Sequence, residues 1–466
     1  MLPIKDFTTL SLSPLLLEVI KEIGYVKPTP IQAQSIPYLL EGRDLIGQSK
    51  TGSGKTAAFG IPILEKTDIE NRVPQALILC PTRELCTQVA REIRRLGCRF
   101  NGLQVVSLTG GQPLRDQRIS LEHGAQIIVG TPGRTLDHLK RGYLNISTVN
   151  IVVLDEADRM LDMGFEDEMN EILQKLPQKR QTLLFSATFP PTIEALSQGY
   201  QTNPVKIIID DGSRSLAIEQ QCYFTEYDQK SETLLGILRH NQPESVLIFC
   251  NLKATILEIT KILEKFEISV ASLHGDLEQR DRDRMMARFR NKSVRVLVAT
   301  DVAARGLDIE DLDMVINYDV PIKPDIYVHR IGRTGRAGKK GLAIMLLTER
   351  EEFRFEDIEE FIGKKIERKS LSQLKQRDMR AKVLNKDAEM ETLYISGGRK
   401  DKVRPGDILG ALTGDAAHLD GKDIGKIEIH DRFSYVAVSK HIAQRAMEKL
   451  RDGRIKGHKF QIKMVR

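Results

Sequence analysis

The chain has 466 residues, 41% of them hydrophobic and 29% charged, with a net charge of +6 and five cysteines. That length exceeds what one ordinary core accommodates and predicts about two to four domains of globular composition. No apolar run approaches the ~20 residues that span a bilayer, the N-terminus has no secretory-leader pattern, and the cysteines show no CxxC spacing, so membrane insertion, secretion, disulfides and zinc are not expected and a cytoplasmic protein is.

In chain order, short unalternated runs rich in Val, Ile and Leu predict strands buried on both faces. ALILC (76–80) runs into PTREL, VVSL (105–108) into TGG, QIIV (126–129) into GTPGR, IVVL (151–154) into DEAD and TLLF (182–185) into SAT. Amphipathic segments such as 85–96 fall between them, which is a βαβ pattern. The rhythm repeats with SVLIF (245–249), SVASL (269–273), VRVLVA (294–299) and MVIN (314–317). Two tandem α/β domains with parallel sheets are expected over 1–207 and 218–362, with ligands at the strand C-terminal ends and in the cleft between domains. Residues 363–390 are charged with few large apolar side chains and are expected to be a basic linker, whereas 391–466 show the order βαββαβ of a small α+β domain.

Charge follows the same division. Residues 391–466 hold 16 basic and 10 acidic residues, and 363–390 hold 9 and 4, so that 1–362 carry a net −5. The surplus at the C-terminal end predicts a polyanion partner held by the tail.

SKTGSGKT (49–56) lies between a short apolar run and a predicted helix. Its glycines let backbone N–H groups approach phosphates, Lys55 reaches β and γ oxygens, and the Thr56 hydroxyl suits Mg²⁺. The strict pattern begins with Gly where this chain has Ser49. VLDEAD places Asp155 and Glu156 at the end of a buried strand, fitting Asp155 to hold Mg²⁺ and Glu156 to orient or deprotonate the attacking water. HRIGRTGRAG (329–338) sets Arg333 and Arg336 three apart among glycines, which lets two guanidiniums point to one spot; a phosphate-backbone stripe would be wider and richer in Lys.

Together these stretches resemble the DEAD-box RNA helicases of helicase superfamily two. The motifs stand in that family's order over about 1–350: Phe7 with GYVKPTPIQ (24–32), SKTGSGKT, PTREL, TGG (109–111), TPGR (131–134), DEAD (155–158), SAT (186–188), VLIFCN (246–251), LHGDLEQRDR (273–282), ATDVAARGLD (299–308) and HRIGRTGR (329–336). The resemblance implies two RecA-like domains and an RNA-stimulated ATPase using ATP and Mg²⁺. By it, Gln32 and Phe7 address adenine, Thr51, Gly52, Ser53, Gly54, Lys55 and Thr56 cradle the phosphates, and Asp308 also contacts nucleotide. Lys55, Asp155, Glu156 and the arginine fingers Arg333 and Arg336 are implied to be catalytic, with Asp158, Ser186, Thr188 and His329 coupling nucleotide to RNA. RNA phosphates and sugars are implied to lie on Pro81, Thr82, Arg83, Gly110, Gly111, Thr131 and Arg134 in the first domain and on Arg282 and Thr300 in the second, positioning a strand without reading bases.

The tail resembles an RNA-recognition fold, with LYISGG (393–398) and DRFSYVAV (431–438) at its first and third strands. Tyr394, Phe433 and Tyr435 are candidates to stack bases, with Arg404 and the basic loops 399–404 and 454–459 as rival contacts. GRKDKVRPGDILGALTGDA and IGKIEIHDRFSYVAV are similar to the RNA-binding domain of DbpA-type helicases, which implies targeting to a hairpin of 23S-type ribosomal RNA in a large-subunit precursor, by a monomer. Two other readings remain at this point: an ATP-gated RNA clamp needs every motif above, and a processive DNA translocase is disfavoured by Asp158 and Gln32.

Overall fold

The computed structural model describes residues 4–49, 52–189, 191–209, 218–304, 309, 312–335, 340–375, 382–385, 387–414 and 419–465. Thr51, Asp308, Arg336 and most of the expected changeover at 207–218 lie outside the described residues. The chain divides into two units, Met1–Ser213 with Gly306–Asp308, and Arg214–Arg305 with Ile309–Arg466.

The first unit is built on a 7-stranded parallel sheet of β1 (Leu45–Gln48), β2 (Ala76–Leu79), β3 (Val105–Leu108), β4 (Ile127–Gly130), β5 (Ile151–Asp155), β6 (Gln181–Ser186) and β7 (Val205–Ile208), in the order β3-β4-β2-β5-β6-β1-β7. Its central strands are buried along their whole length because helices cover both faces, which is why they read as unbroken apolar runs rather than alternating ones. Each fully buried Val, Ile or Leu in them contributes about 1.5–3 kcal/mol. Since every strand runs the same way, Ser49, Pro81, Thr109, Thr131, Asp155 and Ser186 all leave the sheet at one edge.

The second unit repeats that order with β8 (Ile218–Phe224), β9 (Val246–Phe249), β10 (Val270–Leu273), β11 (Val296–Ala299), β12 (Met314–Asn317), β13 (Gly341–Leu347) and β14 (Glu367–Lys369), arranged β10-β11-β9-β12-β13-β8-β14. The stretch 363–390 is more than a linker. Its ERK segment forms the edge strand β14 on β8, and Leu374, Val383 and Leu384 enter the second core. A three-residue strand of charged side chains has no apolar pattern to announce it.

The tail folds in the expected order, with antiparallel β15 (Met390–Ile395), β16 (Ile424–Ile429), β17 (Ser434–Ser439) and β18 (Ile462–Met464) backed by helices Pro405–Thr413 and Ala443–Asp452. Leu393, Ile395, Val436 and Val438 face those helices. The opposite sheet face meets the helix Gln279–Arg290 and the turn after it: Tyr435 packs with Ala287 and Val465, Arg290 donates two hydrogen bonds to Glu428 at 2.8 and 2.7 Å, and Thr392 bonds Asn291 and Ser293. Four of the five cysteines are buried and all are free, and no helix among the described residues is long and apolar enough to cross a membrane.

Candidate functional site

In the first unit the phosphate-loop sequence links β1 to the helix Lys55–Lys66, whose N-cap is Gly54 at φ 92°. A Cβ at Gly54 would stand 2.5 Å from the Gln32 amide nitrogen, so only glycine fits both the conformation and the space. Lys55 is buried and donates to the Ser49 carbonyl at 3.0 Å, while Ser49 Oγ lies 2.9 Å from Ser53 Oγ. Gln32 serves the helix Pro30–Leu40 as a cap, accepting from Thr29 N at 2.9 Å, and also donates to the Gly54 carbonyl at 3.1 Å. The polar helix-start role and the position beside the nucleotide loop therefore coincide in one carboxamide. Phe7 is only 3% exposed and stacks on Tyr25 with ring centroids 6.3 Å apart, so its ring belongs to the core of this unit.

Asp155 ends β5 and is buried, and one oxygen, Oδ1, has no hydrogen-bond partner among the described residues. Burial, with Glu156 adding to it against the opposing Lys55 charge, pushes its carboxyl up to about 7. A buried carboxylate oxygen without a donor beside a lysine and a phosphate-type loop fits a hard cation such as Mg²⁺. Glu156 sits at φ 53° and ψ 51°, the left-handed region that non-glycine residues seldom adopt, and caps the helix Ala157–Asp162. Asp158 turns back to β6: its Oδ2 accepts from Thr188 N at 2.9 Å and Thr188 Oγ1 at 2.8 Å, while Ser186 Oγ donates to the Thr188 carbonyl at 2.6 Å. The three residues expected to act together are in direct contact.

Along the same sheet edge, Arg83 is exposed, and a Cβ on Gly110 would approach its guanidinium to 2.9 Å. Arg134 Nη1 donates to the Gln112 carbonyl at 3.0 Å, and burial, then the Arg83 charge working against Asp137, lowers the Arg134 pKa. Pro81, Thr82 and Thr131 bury their side chains, so what they offer a ligand is backbone. Thr82 Oγ1 accepts from Leu85 N at 3.2 Å to cap the helix Arg83–Leu96, and Thr131 precedes the helix Pro132–Lys140. These three shape the turns, and Arg83, Gly110, Gly111 and Arg134 present the surface.

In the second unit, Arg282 Nη2 donates to the Ala303 carbonyl at 3.3 Å, and Thr300 Oγ1 accepts from Ala303 N at 3.3 Å. Both candidate RNA residues therefore meet the short helix Asp301–Ala304. His329 lies in the last turn of the helix Pro324–Ile331, and the Arg333 carbonyl accepts from Leu312 N at 3.2 Å. Arg330 is not among the residues that the sequence motifs single out. It is 1% exposed, and its guanidinium donates to both oxygens of Asp301, to Asn317 Oδ1, to the Asp319 carbonyl and to Asn251 Oδ1. A guanidinium has five N–H donors, and these bonds use all of them. The signal was present: Tyr327, Arg330 and Ile331 share the buried face of their helix at i, i+3 and i+4.

In the tail, Tyr394, Phe433 and Tyr435 do gather, with centroid separations of 5.2–6.0 Å, and His430 stacks on Phe433 at 4.5 Å. Tyr435, however, is 2% exposed under the helix Gln279–Arg290, so the base-stacking role expected for it is corrected here: its ring is already covered. At one end of the same domain, Lys456 Nζ donates to the Lys402 carbonyl at 2.9 Å, joining the two basic loops.

Comparison with known proteins agrees with this arrangement. Residues 29–196 match the family model of the DEAD/DEAH box helicase, 229–338 that of the helicase conserved C-terminal domain, and 392–464 that of the DbpA RNA binding domain. The chain is 47% identical over 461 residues to the ATP-dependent RNA helicase DbpA of Escherichia coli (strain K12), covering 99% of each, and 39% identical over 478 residues to that of Bacillus subtilis (strain 168), covering 98% of each. Among solved structures, S. cerevisiae Dbp5 bound to RNA and ADP BeF3 is similar at 34% identity and a TM-score of 0.72, covering 79% of this chain and 96% of that one.

Proposed function

This chain belongs to the DEAD-box ATP-dependent RNA helicases of the DbpA type, and from that premise we propose how its residues divide the work and where its tail directs it. Lys55 exchanges the Ser49 carbonyl for the β and γ phosphates of ATP, and Gln32 addresses the adenine edge. Glu156 orients the attacking water and takes its proton, in a backbone conformation held by the helix it caps. A Mg²⁺ held by Thr56 and Asp155 would neutralise phosphate charge. Arg333, with Arg336, addresses the γ-phosphate, where an arginine finger is worth about 10³–10⁵ in rate. Asp158, Ser186, Thr188 and His329 pass the state of the nucleotide to the RNA contacts at Arg83, Gly110, Gly111, Arg134, Arg282 and Thr300.

The observation that carries this reading is the buried Asp155 carboxylate with an oxygen to which none of the described residues donates, at the end of the strand beside the one that leads to Thr188. Glu156→Gln is expected to lower RNA-stimulated ATP turnover by about 10²-fold or more. Turnover equal to wild type would remove Glu156 from the chemistry.

For the tail we infer that a hairpin of large-subunit ribosomal RNA is held by the joined loops 399–404 and 454–459, which brings the helicase domains to adjacent duplexes during ribosome assembly. Supporting it are the match of 392–464 to an RNA-binding domain, the covered Tyr435 and the basic surplus of 391–466. Tethering raises the local concentration of duplex without new contacts in the helicase domains. Arg404→Glu with Arg454→Glu is expected to abolish the preference for ribosomal hairpin fragments in ATPase stimulation. Preference that survives in this variant would return recognition to Tyr394 and Phe433.

A further inference from the structure

The helix Leu114–Glu122 lies on the surface, and its one buried residue is polar: Gln117, 6% exposed. A surface helix ordinarily buries an apolar stripe, and burying an amide costs free energy unless each polar atom finds a partner. Both ends of this amide do. Nε2 donates to the Thr109 carbonyl at 2.7 Å, while Oε1 faces His138 Nε2 at 3.0 Å and Arg134 Nη1 at 3.3 Å. With its nitrogen committed to a carbonyl, the amide oxygen is the acceptor for the other two, so His138 presents Nε2–H to it.

The three partners belong to two separate turns. Thr109 immediately precedes the glycine pair Gly110–Gly111, whose first member lies against the Arg83 guanidinium. Arg134 is on the first turn of the helix Pro132–Lys140, and His138 lies one turn further along it, fully buried. Gln117 thus fixes the spacing between the glycine turn and the Arg134 side chain, and Arg134 reaches back to the Gln112 carbonyl beside that turn.

We propose that Gln117 is a positioning residue for RNA binding, holding Arg134 and the Thr109–Gly111 turn at the separation that an RNA backbone bridges. The inference rests on the RNA-contact reading of Arg134 given above. An amide suits this task where a carboxylate does not, because it donates to the Thr109 carbonyl and accepts from the guanidinium at once. A pre-set guanidinium loses less side-chain freedom when phosphate arrives.

The test uses the full chain and ATPase stimulation by a single-stranded RNA of fixed sequence. Gln117→Leu is expected to raise the RNA concentration giving half-maximal stimulation about tenfold, with turnover at saturating RNA within about twofold of wild type. In an Arg134→Ala background the same change should add less than about twofold, because the two residues act through one contact. Gln117→Glu keeps the acceptor and loses the donor, so an intermediate increase is expected, and it serves as the test if the leucine variant does not fold. Unchanged half-saturation in the leucine or glutamate variant, or additivity with Arg134→Ala, overturns the proposal. If Arg134→Ala itself leaves half-saturation unchanged, the RNA-contact reading of this face fails instead.

Discussion

Arg330 and Asp301 meet through two parallel hydrogen bonds of 2.7 Å, one from Nε to Oδ1 and one from Nη2 to Oδ2. The arginine is buried and sits between His329 and the loop that carries Arg333, and the aspartate follows Thr300. This fork therefore ties the candidate nucleotide-sensing helix to a candidate RNA contact. Of the arginines in HRIGRTGR, this one has no N–H left for a phosphate.

Removing the guanidinium leaves the buried Asn317 and the partly buried Asp301 and Asn251 without their shared donor. Loss of one partner of a buried pair costs about 3–5 kcal/mol. Arg330→Met is expected to lower the urea midpoint of the second unit accordingly, and Arg330→Lys to recover only part of it because an ammonium cannot fork to a carboxylate. A midpoint within error of wild type for Arg330→Met would show that the network contributes nothing.

The phosphate loop carries a second, smaller latch. Ser49 Oγ and Ser53 Oγ are 2.9 Å apart, and the Ser49 carbonyl receives Lys55. A hydrogen bond of this kind is worth about 0.5–1.5 kcal/mol, and on the reading proposed above ATP draws Lys55 away from that carbonyl. Ser49→Ala is expected to lower the ATP concentration for half-maximal turnover by about two- to fivefold at unchanged maximal turnover. An increase in that concentration would mean the hydroxyl aids nucleotide binding instead of opposing it.

How far the sequence spoke for itself differs by residue. Strands such as IVVLD were legible because burial on both faces leaves an unbroken apolar run, and their parallel direction then gathered the polar motif residues at one edge. The cluster of Asp158, Ser186 and Thr188 was legible as residues but not as geometry, since the bonds join positions 30 apart in sequence. Tyr435 was misjudged because a strand's alternation says which face a ring occupies and not what covers that face. Gln117 and Arg330 were missed for a related reason: a polar residue on the inner face of a helix looks like a surface residue until its partners, drawn from other strands and helices, are in place.

The tail's contact with the helix Gln279–Arg290 includes the hydrogen-bonded pair Arg290 and Glu428. Burial alone would raise the Glu428 pKa, but the His430 ring 3.9 Å away and the hydrogen bonds from Arg290 outweigh it and hold the carboxyl well below the usual carboxylate range. Its contribution is therefore present at neutral pH and lost on acidification. Arg290→Glu removes about 1.5–3 kcal/mol per charged hydrogen bond and adds repulsion. Tyr435, protected in the wild type, is expected to become reactive to tyrosine nitration as read by mass spectrometry, and the swap Arg290→Glu with Glu428→Arg to restore protection. A Tyr435 that stays protected in the single variant would show that apolar packing with Ala287 and Val465 suffices.

His138 gives the first unit a pH dependence of definite sign. Burial, and then the neighbouring Arg134 charge, lower its pKa below the ordinary 6.5, with Asp137 opposing and Arg141 adding weakly. Its Nδ1 is buried without a hydrogen-bond partner among the described residues, so the protonated ring would place a second N–H where nothing accepts it. The unfolded chain binds a proton at this residue once the pH falls below about 6.5, and the folded one resists, so stability is full above that value and declines as the pH drops toward the lowered folded pKa. His138→Gln keeps a donor for Gln117 and cannot titrate. The thermal midpoint of the wild type is expected to fall more steeply between pH 7.5 and 5.5 than that of the variant, in a plot of one against the other at matched salt, with the difference developing below about pH 6.5. Parallel pH profiles for the two would mean that the folded protein accommodates the imidazolium and that the Gln117 contact does not require a neutral ring.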